Sequence, residues 1–193
     1  MIGIDDVEEA AERVEGVAEK TPLRGSRTVS EATGADVYLK YENLQRTGSF
    51  KIRGAYNKML SLDGDEREEG VIAASAGNHA QGVALAARKA DVDAKIVMPE
   101  DAAISKVEAT SEYGGENVEV VLHGVDYEDA YEHARKTELT EGRTFVHPFD
   151  DPYVQAGQGT VALEILDELP DVDTVVVAVG GGGLAAGVAT AVK

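Results

Sequence analysis

The sequence predicts an α/β protein with open, mostly parallel sheets flanked by helices. From Val37 onward, short apolar runs alternate with longer amphipathic ones, the rhythm of strand and helix in turn. The run "TVVVAV" is apolar at almost every position, as in a strand covered on both faces. Several of these runs also end in loops of unusual composition, and in an open α/β sheet such loops gather along one edge where ligands sit.

In chain order, an opening helix is expected near Asp5–Ala18 and a first strand at Val37–Tyr41. Helix then follows at about Phe50–Leu62, strand at Val71–Ser75, helix at His79–Ala90 and strand at Ala94–Met98. The second half continues with helix Ser105–Tyr113, strand Val118–Leu122, helix Tyr127–Leu139, strand Thr144–His147, helix Tyr153–Leu169 and strand Thr174–Val179. The helices rest on spacing: Ala80, Val83, Ala84 and Ala87 share one face, as do Val161, Ile165, Leu166 and Leu169. There is no internal repeat, low-complexity tract or proline-rich linker.

Acidic residues number 36 against 18 basic, a formal charge of −18, which argues against nucleic acid or an anionic membrane as partner. The acids are scattered, with a cluster at Asp63–Glu69, and read as a strongly solvated surface like that of proteins from high-salt cytoplasm. Apolar residues make up 43% and are periodic, which disfavours disorder. The absence of cysteine excludes disulfides and thiolate chemistry. No apolar run approaches a membrane span and the acidic start lacks signal-peptide features, so the expected location is the cytoplasm.

Three stretches carry chemistry. Gly180, Gly181, Gly182 and Gly183, between an apolar run and a helix start, form a surface of bare backbone whose amides can close on an anion such as phosphate. A flexible turn and a nicotinamide site remain alternative readings of these glycines. In "SAGNHAQG", Ser75, Asn78 and His79 cluster at another helix start; they can hold a carboxylate or phenolic oxygen, or Asn78 simply caps the helix. In "RTGSFKIRGA", Lys51 stands between Phe50 and Ile52, which would desolvate its amine and favour the neutral, nucleophilic form; a solvent-facing lysine is the alternative. His79, His123, His133 and His147 lack metal-ligand spacing, and neither a P-loop nor a Gly-x-Ser-x-Gly elbow occurs.

The blocks "ENLQRTGSFKIRGA", "SAGNHAQGVA", "IVMPEDAAISKVEAT", "HPFDDPYVQAGQGT" and "VVVAVGGGGLAAG", in this order, resemble the pyridoxal-phosphate-dependent serine/threonine dehydratases, the threonine ammonia-lyases of the tryptophan-synthase-β-like fold (fold type II). The resemblance covers the chain from Thr21 onward. It implies that Lys51 bonds the pyridoxal phosphate aldehyde and later removes the substrate's α-proton. Phe50 would pack beside the cofactor ring and Asn78 would bond its phenolic oxygen. Ser75, Ala76, Gly77 and His79 would surround the substrate carboxylate, while Gly180, Gly181, Gly182, Gly183 and the Leu184 amide would hold the phosphate. The implied activity is β-elimination of L-threonine or L-serine to a 2-oxo acid and ammonia, without a metal, with a place in isoleucine biosynthesis. Serine racemases carry a serine where this chain has Ala76, and alanine cannot transfer a proton, so elimination is expected over racemisation.

Family members are generally much longer. The resemblance therefore implies an incomplete large domain, 1–62 with 143–193, around a complete small domain, 63–142. A homo-oligomer or completion by another chain is expected, and a non-catalytic fragment is the alternative.

Overall fold

The computed structural model describes all residues, Met1–Lys193. Helix α1 (Ile4–Val14) opens the chain and turns Val7, Ala10 and Val14 inward. Strand β1 (Leu23–Gly25), helix α2 (Arg27–Thr33) and strand β2 (Tyr38–Lys40) follow, with β1 and β2 paired antiparallel as a separate ribbon. The expected strand at Val37–Tyr41 therefore forms, shortened, outside the main sheet. A 3₁₀ turn at Glu42–Leu44 leads to helix α3 (Lys51–Ser61).

Helix α4 (Gly64–Glu69) comes from the acidic cluster: the Asp63 carboxylate accepts from the Glu66 amide at 2.9 Å and Glu66 accepts from the Asp63 amide at 3.0 Å. This reciprocal capping box gives those carboxylates a local structural use. Then come β3 (Val71–Ala74), α5 (Asn78–Ala90), β4 (Ala94–Met98), α6 (Ile104–Gly114), β5 (Val118–Leu122), α7 (Tyr127–Glu141) and β6 (Thr144–Phe145). The four strands form one parallel sheet in the order β5-β4-β3-β6.

Strand β3 is buried along its whole length and shows the expected two-residue alternation. Val71 and Ala73 join Ile52, Met59, Val83 and Ile96 in the core on the α3/α5 side. Ile72 and Ala74 face Ala130, Ala134 and Phe145, under α7.

Helix α8 (Pro152–Glu168) and helix α9 (Gly183–Ala191) complete the fold. Between them the sequence expectation fails: Thr174–Val179 forms no strand and joins neither sheet. Val175 and Val177 pack inward toward α9, whereas Val176 is 91% and Val179 70% exposed. The pattern of a covered strand is present, but no chain lies alongside to complete its ladder.

Two devices lock α8 in place. The first is close backbone approach through glycine. A Cβ on Gly157 would stand 2.6 Å from the Gly54 Cα, and one on Gly187 would stand 2.2 Å from the Gln155 carbonyl oxygen, so α3, α8 and α9 touch backbone to backbone. The second is Arg53, fully buried. Its guanidinium donates to Glu42 (2.9 Å from Nε), to Glu164 (2.6 Å), to the Thr160 hydroxyl (3.1 Å) and to the Glu19 carbonyl (3.0 Å). Glu164 also meets Lys40 at 2.8 Å, and Glu42 accepts from the Thr21 hydroxyl. Every donor of the buried cation is matched, the condition under which a buried charge is tolerated.

Two stability predictions follow from these locks, both measured by urea unfolding. Arg53→Met strands the Glu42 and Glu164 carboxylates and is expected to cost about 3–5 kcal/mol. Gly54→Ala forces a methyl into the α8 backbone and is expected to cost roughly 1–3 kcal/mol, while Gly64→Ala, with nothing near the new methyl, is expected to be neutral or slightly stabilising.

Candidate functional site

Four helices begin at one place. Lys51 is the first residue of α3 and Asn78 the first of α5; α8 starts just after the segment 146–150, and α9 starts at the end of the glycine loop. Helix N-termini carry partial positive charge and unmatched amides, so their convergence disfavours a protonated amine and favours anions.

The segment 146–150 links these starts. The Lys51 Nζ donates to the Pro148 carbonyl at 2.7 Å. Its amine also stands 5.4 Å from the centre of the Phe50 ring. Lys51 is half-buried, and burial lowers its pKa below the ordinary lysine value. The solvent-facing reading of this lysine is thereby excluded. The approach of α5 beneath it depends on Gly82, where a Cβ would lie 3.1 Å from the Lys51 Cβ.

His79 is buried, and its Nε2 pairs with the Val146 carbonyl at 2.9 Å. A carbonyl only accepts, so Nε2 carries a hydrogen. Burial above all pushes its pKa down to about 3. Its Nδ1 is buried with no partner. Beside it, the His147 Nδ1 accepts from the amides of Phe149 (3.3 Å) and Asp150 (2.8 Å).

At the head of α5, Ser75, Ala76 and Gly77 are half-buried and Asn78 is exposed. Gly77 occupies the N-cap position and no side chain caps this helix, which removes the reading of Asn78 as a cap. The Ser75 hydroxyl accepts from the Gly77 amide at 3.2 Å. The amides of Asn78 and His79 donate to no backbone carbonyl, and the His79 ring is committed to Val146. What His79 can offer an anion is therefore its backbone N–H.

The glycine loop has two kinds of position. A Cβ on Gly181 would strike the Phe149 ring at 2.2 Å, and one on Gly183 would stand 2.8 Å from the Phe149 Cα, so these two glycines serve packing. Gly180 and Gly182 face open space, and Gly182 adopts a left-handed φ of 88° at the N-cap of α9. The amides of residues 180–185 donate to no carbonyl; Ala186, bonded to Gly182, is the first that does. Leu184 is half-buried, its side chain turned to the apolar cluster shared by α1 and α9. A cradle of free N–H groups with no side chain across it fits a phosphate, and an amine of lowered pKa one segment away fits an aldehyde. These residues thus match the two reactive ends of pyridoxal phosphate.

The block "HPFDDPYVQAGQGT" contributes to the resemblance, but the resemblance assigns its residues no role. Phe149 is the ring that joins the glycine loop to Lys51's segment, and Pro148 supplies the carbonyl. Of the remaining histidines, His123 and His133 stack on each other with ring centres 4.0 Å apart, away from these residues. No group of three or more potential metal ligands occurs, and no helix is long and apolar enough to cross a membrane.

The sequence profile of the family described as "Pyridoxal-phosphate dependent enzyme" matches residues 14–193. An L-threonine ammonia-lyase of Thermotoga maritima is 53% identical over 193 residues, covering 100% of this chain and 47% of that protein. The processed form of threonine deaminase isoform 2 from Solanum lycopersicum superposes with a TM-score of 0.91 at 45% identity, over 97% of this chain and 50% of the other. Maize serine racemase gives 0.92 at 38% identity, over 98% and 56%. The chain thus spans about half the length of the curated relatives it matches.

The buried neutral histidine makes stability fall with acid. The unfolded chain takes a proton on this residue near 6.5 and the folded chain only near 3, so between those values the unfolded state binds more protons. Stability is therefore lost as pH falls through that window, by about 2 kcal/mol between pH 7 and 5 from this ring, with His147, also lowered by burial, adding in the same direction. Urea unfolding at the two pH values should show this loss, and His79→Phe should show a smaller one.

Proposed function

The chain belongs to the pyridoxal-phosphate-dependent enzyme family, and we propose that it carries the lysine-bearing part of an ammonia-lyase that eliminates water from L-threonine or L-serine. The observation that carries this reading is the Lys51 amine, half-buried, lowered in pKa and held by a neutral carbonyl with no carboxylate in salt-bridge reach. A lysine so placed is a nucleophile and then a base.

Pyridoxal phosphate, when bound, supplies an aldehyde for the amino group and a ring that withdraws electrons from the α-carbon. The residues of the chain do the rest. Lys51 would hold the cofactor and, with substrate bound, take the α-proton at Nζ. Phe50 would line the cofactor ring and Asn78 would bond its phenolic oxygen. The backbone of Ser75, Ala76, Gly77 and His79 would orient the substrate carboxylate, fixing which bond at the α-carbon is weakened. The amides of Gly180, Gly181, Gly182, Gly183 and Leu184 would hold the phosphate. Loss of the α-proton and of the β-hydroxyl, which would take up a proton and leave as water, would give an enamine; its imine tautomer would be hydrolysed to 2-oxobutanoate and ammonia from threonine, or pyruvate and ammonia from serine.

This reading divides the chain into 1–62 with 143–193 and 63–142, with Lys51 and the glycine loop on the first and Ser75–His79 on the second. The substrate then binds between the two parts. Ala76 offers no proton to the opposite face of the α-carbon, which favours elimination over racemisation. The family assignment displaces the nicotinamide reading of the glycine loop.

A second reading is favoured by the unpaired, exposed segment Thr174–Val179: the chain acts when completed by another polypeptide, or by a further copy of itself. The net charge of −18 favours a cytoplasmic enzyme of small molecules, with neither nucleic acid nor membrane as partner.

The test is to add pyridoxal phosphate, reduce with borohydride and locate the label by mass spectrometry. A label on Lys51, lost in Lys51→Ala, together with 2-oxobutanoate formed from L-threonine is the expected result. A label without turnover supports completion by another chain. No label at Lys51 overturns the proposal, and D-serine accumulating from L-serine overturns the preference for elimination.

A further inference from the structure

We infer that His79 is a positioning residue for Lys51: its ring ties the start of α5 to the Val146 carbonyl and thereby holds the Pro148 carbonyl where it receives the Lys51 amine. The inference deepens the reading of Lys51 as the reactive amine and rests on it for its catalytic meaning, but its test does not.

The first ground is the choice of side chain. A leucine would fill this buried space without placing an unpartnered nitrogen there, whereas the Nδ1 of His79 is buried and unpaired. What the imidazole has that leucine lacks is one N–H, and that N–H is spent on Val146 at 2.9 Å. The ring is kept neutral by burial, so it donates in one fixed tautomer.

The second ground is the path from Val146 to Lys51. The Val146 amide donates to the Ile72 carbonyl at 2.8 Å, continuing the sheet, while its carbonyl takes the His79 ring. Three residues on, the Phe149 carbonyl accepts from the Gln155 side chain at 3.0 Å, and the His147 ring gathers the amides of Phe149 and Asp150. Pro148, with φ restricted by its ring, lies between these fixed points, and its carbonyl meets Nζ at 2.7 Å. Loss of the His79 bond leaves Val146 held by its amide alone, and so removes one of the two bonds that fix this end of the short span.

The third ground is the chemistry of the acceptor. A carboxylate here would stabilise the ammonium, whereas a carbonyl orients the amine while adding no net charge. The ionisable groups near Lys51 are His79 and His147, both held toward the neutral form. Asp150 and Asp151 lie on the same turn and act on His147; Asp151 caps α8 and pairs with Lys58 at 3.5 Å. The amine is thus placed by a neutral partner, which favours the ammonium form less than a carboxylate would.

The test uses the 193-residue chain with no cofactor added. Trace acetic anhydride labelling across a pH series, read at Lys51 by mass spectrometry, gives the titration of that amine. In the wild type and in His79→Gln, which keeps an N–H in the position of Nε2, Lys51 should titrate below the ordinary lysine value of 10.5. In His79→Leu it should shift upward toward that value as the span loosens and water reaches the amine. If His79→Leu does not fold, His79→Asn, too short to reach Val146, takes its place with the same expectation. An unshifted Lys51 in the folded Leu or Asn variant overturns the inference, as does an equal upward shift in His79→Gln, which would make ring volume the cause. Failure of the lyase reading would appear instead as no borohydride label on Lys51, leaving this titration unchanged.

Discussion

The fold around the site hangs on one buried cation. Arg53 sits two residues beyond Lys51 on α3, a rotation of roughly 200° around a helix of 3.6 residues per turn, so the two side chains leave on nearly opposite sides. One side is anchored to Glu42, Glu164, Thr160 and the Glu19 carbonyl; the other presents the amine. Because these partners come from the 3₁₀ turn, from α8 and from the link after α1, a single guanidinium ties all three to α3. Its charge pairs are buried, so salt weakens them far less than the exposed pairs elsewhere on this acidic surface.

The second constraint is steric and uses absence. Gly54 and Gly157 bring α3 onto α8, Gly187 brings α9 onto α8, and Gly82 brings α5 under Lys51. These contacts gather four helix starts around the segment 146–150. Once they are gathered, two sets of free amides and a lysine of lowered pKa arise from backbone placement more than from specialised side chains. Phe149 closes the arrangement by filling the space that Gly181 and Gly183 leave.

Much of this was legible in the sequence because periodicity reports burial. Ala94–Met98 and Val118–Leu122 form as their apolar runs indicate, and α5 follows the spacing of Ala80, Val83, Ala84 and Ala87. Lys51 and the glycine loop announced themselves by composition. Other features have no such signature. Pro148 matters through a carbonyl, which every residue has. His79 drew attention for its place in the asparagine loop, while its ring bond to Val146 depends on a contact 67 positions away. Helix α4 was present as an Asp-x-x-Glu capping box inside what read only as an acidic cluster. Thr174–Val179 misled for the opposite reason, since its pattern describes a covered strand and pairing needs neighbours that this chain does not supply.

That unpaired segment gives the net charge a second meaning. Its bare amides and outward valines offer an edge onto which another copy can add, while a charge of −18 keeps copies apart. The repulsion reaches only as far as the Debye length, about 10 Å at 0.1 M salt and about 3 Å at 1 M, whereas the attraction between apolar edges is not screened. Added salt therefore weakens the repulsion between copies and leaves the apolar character of this edge unchanged.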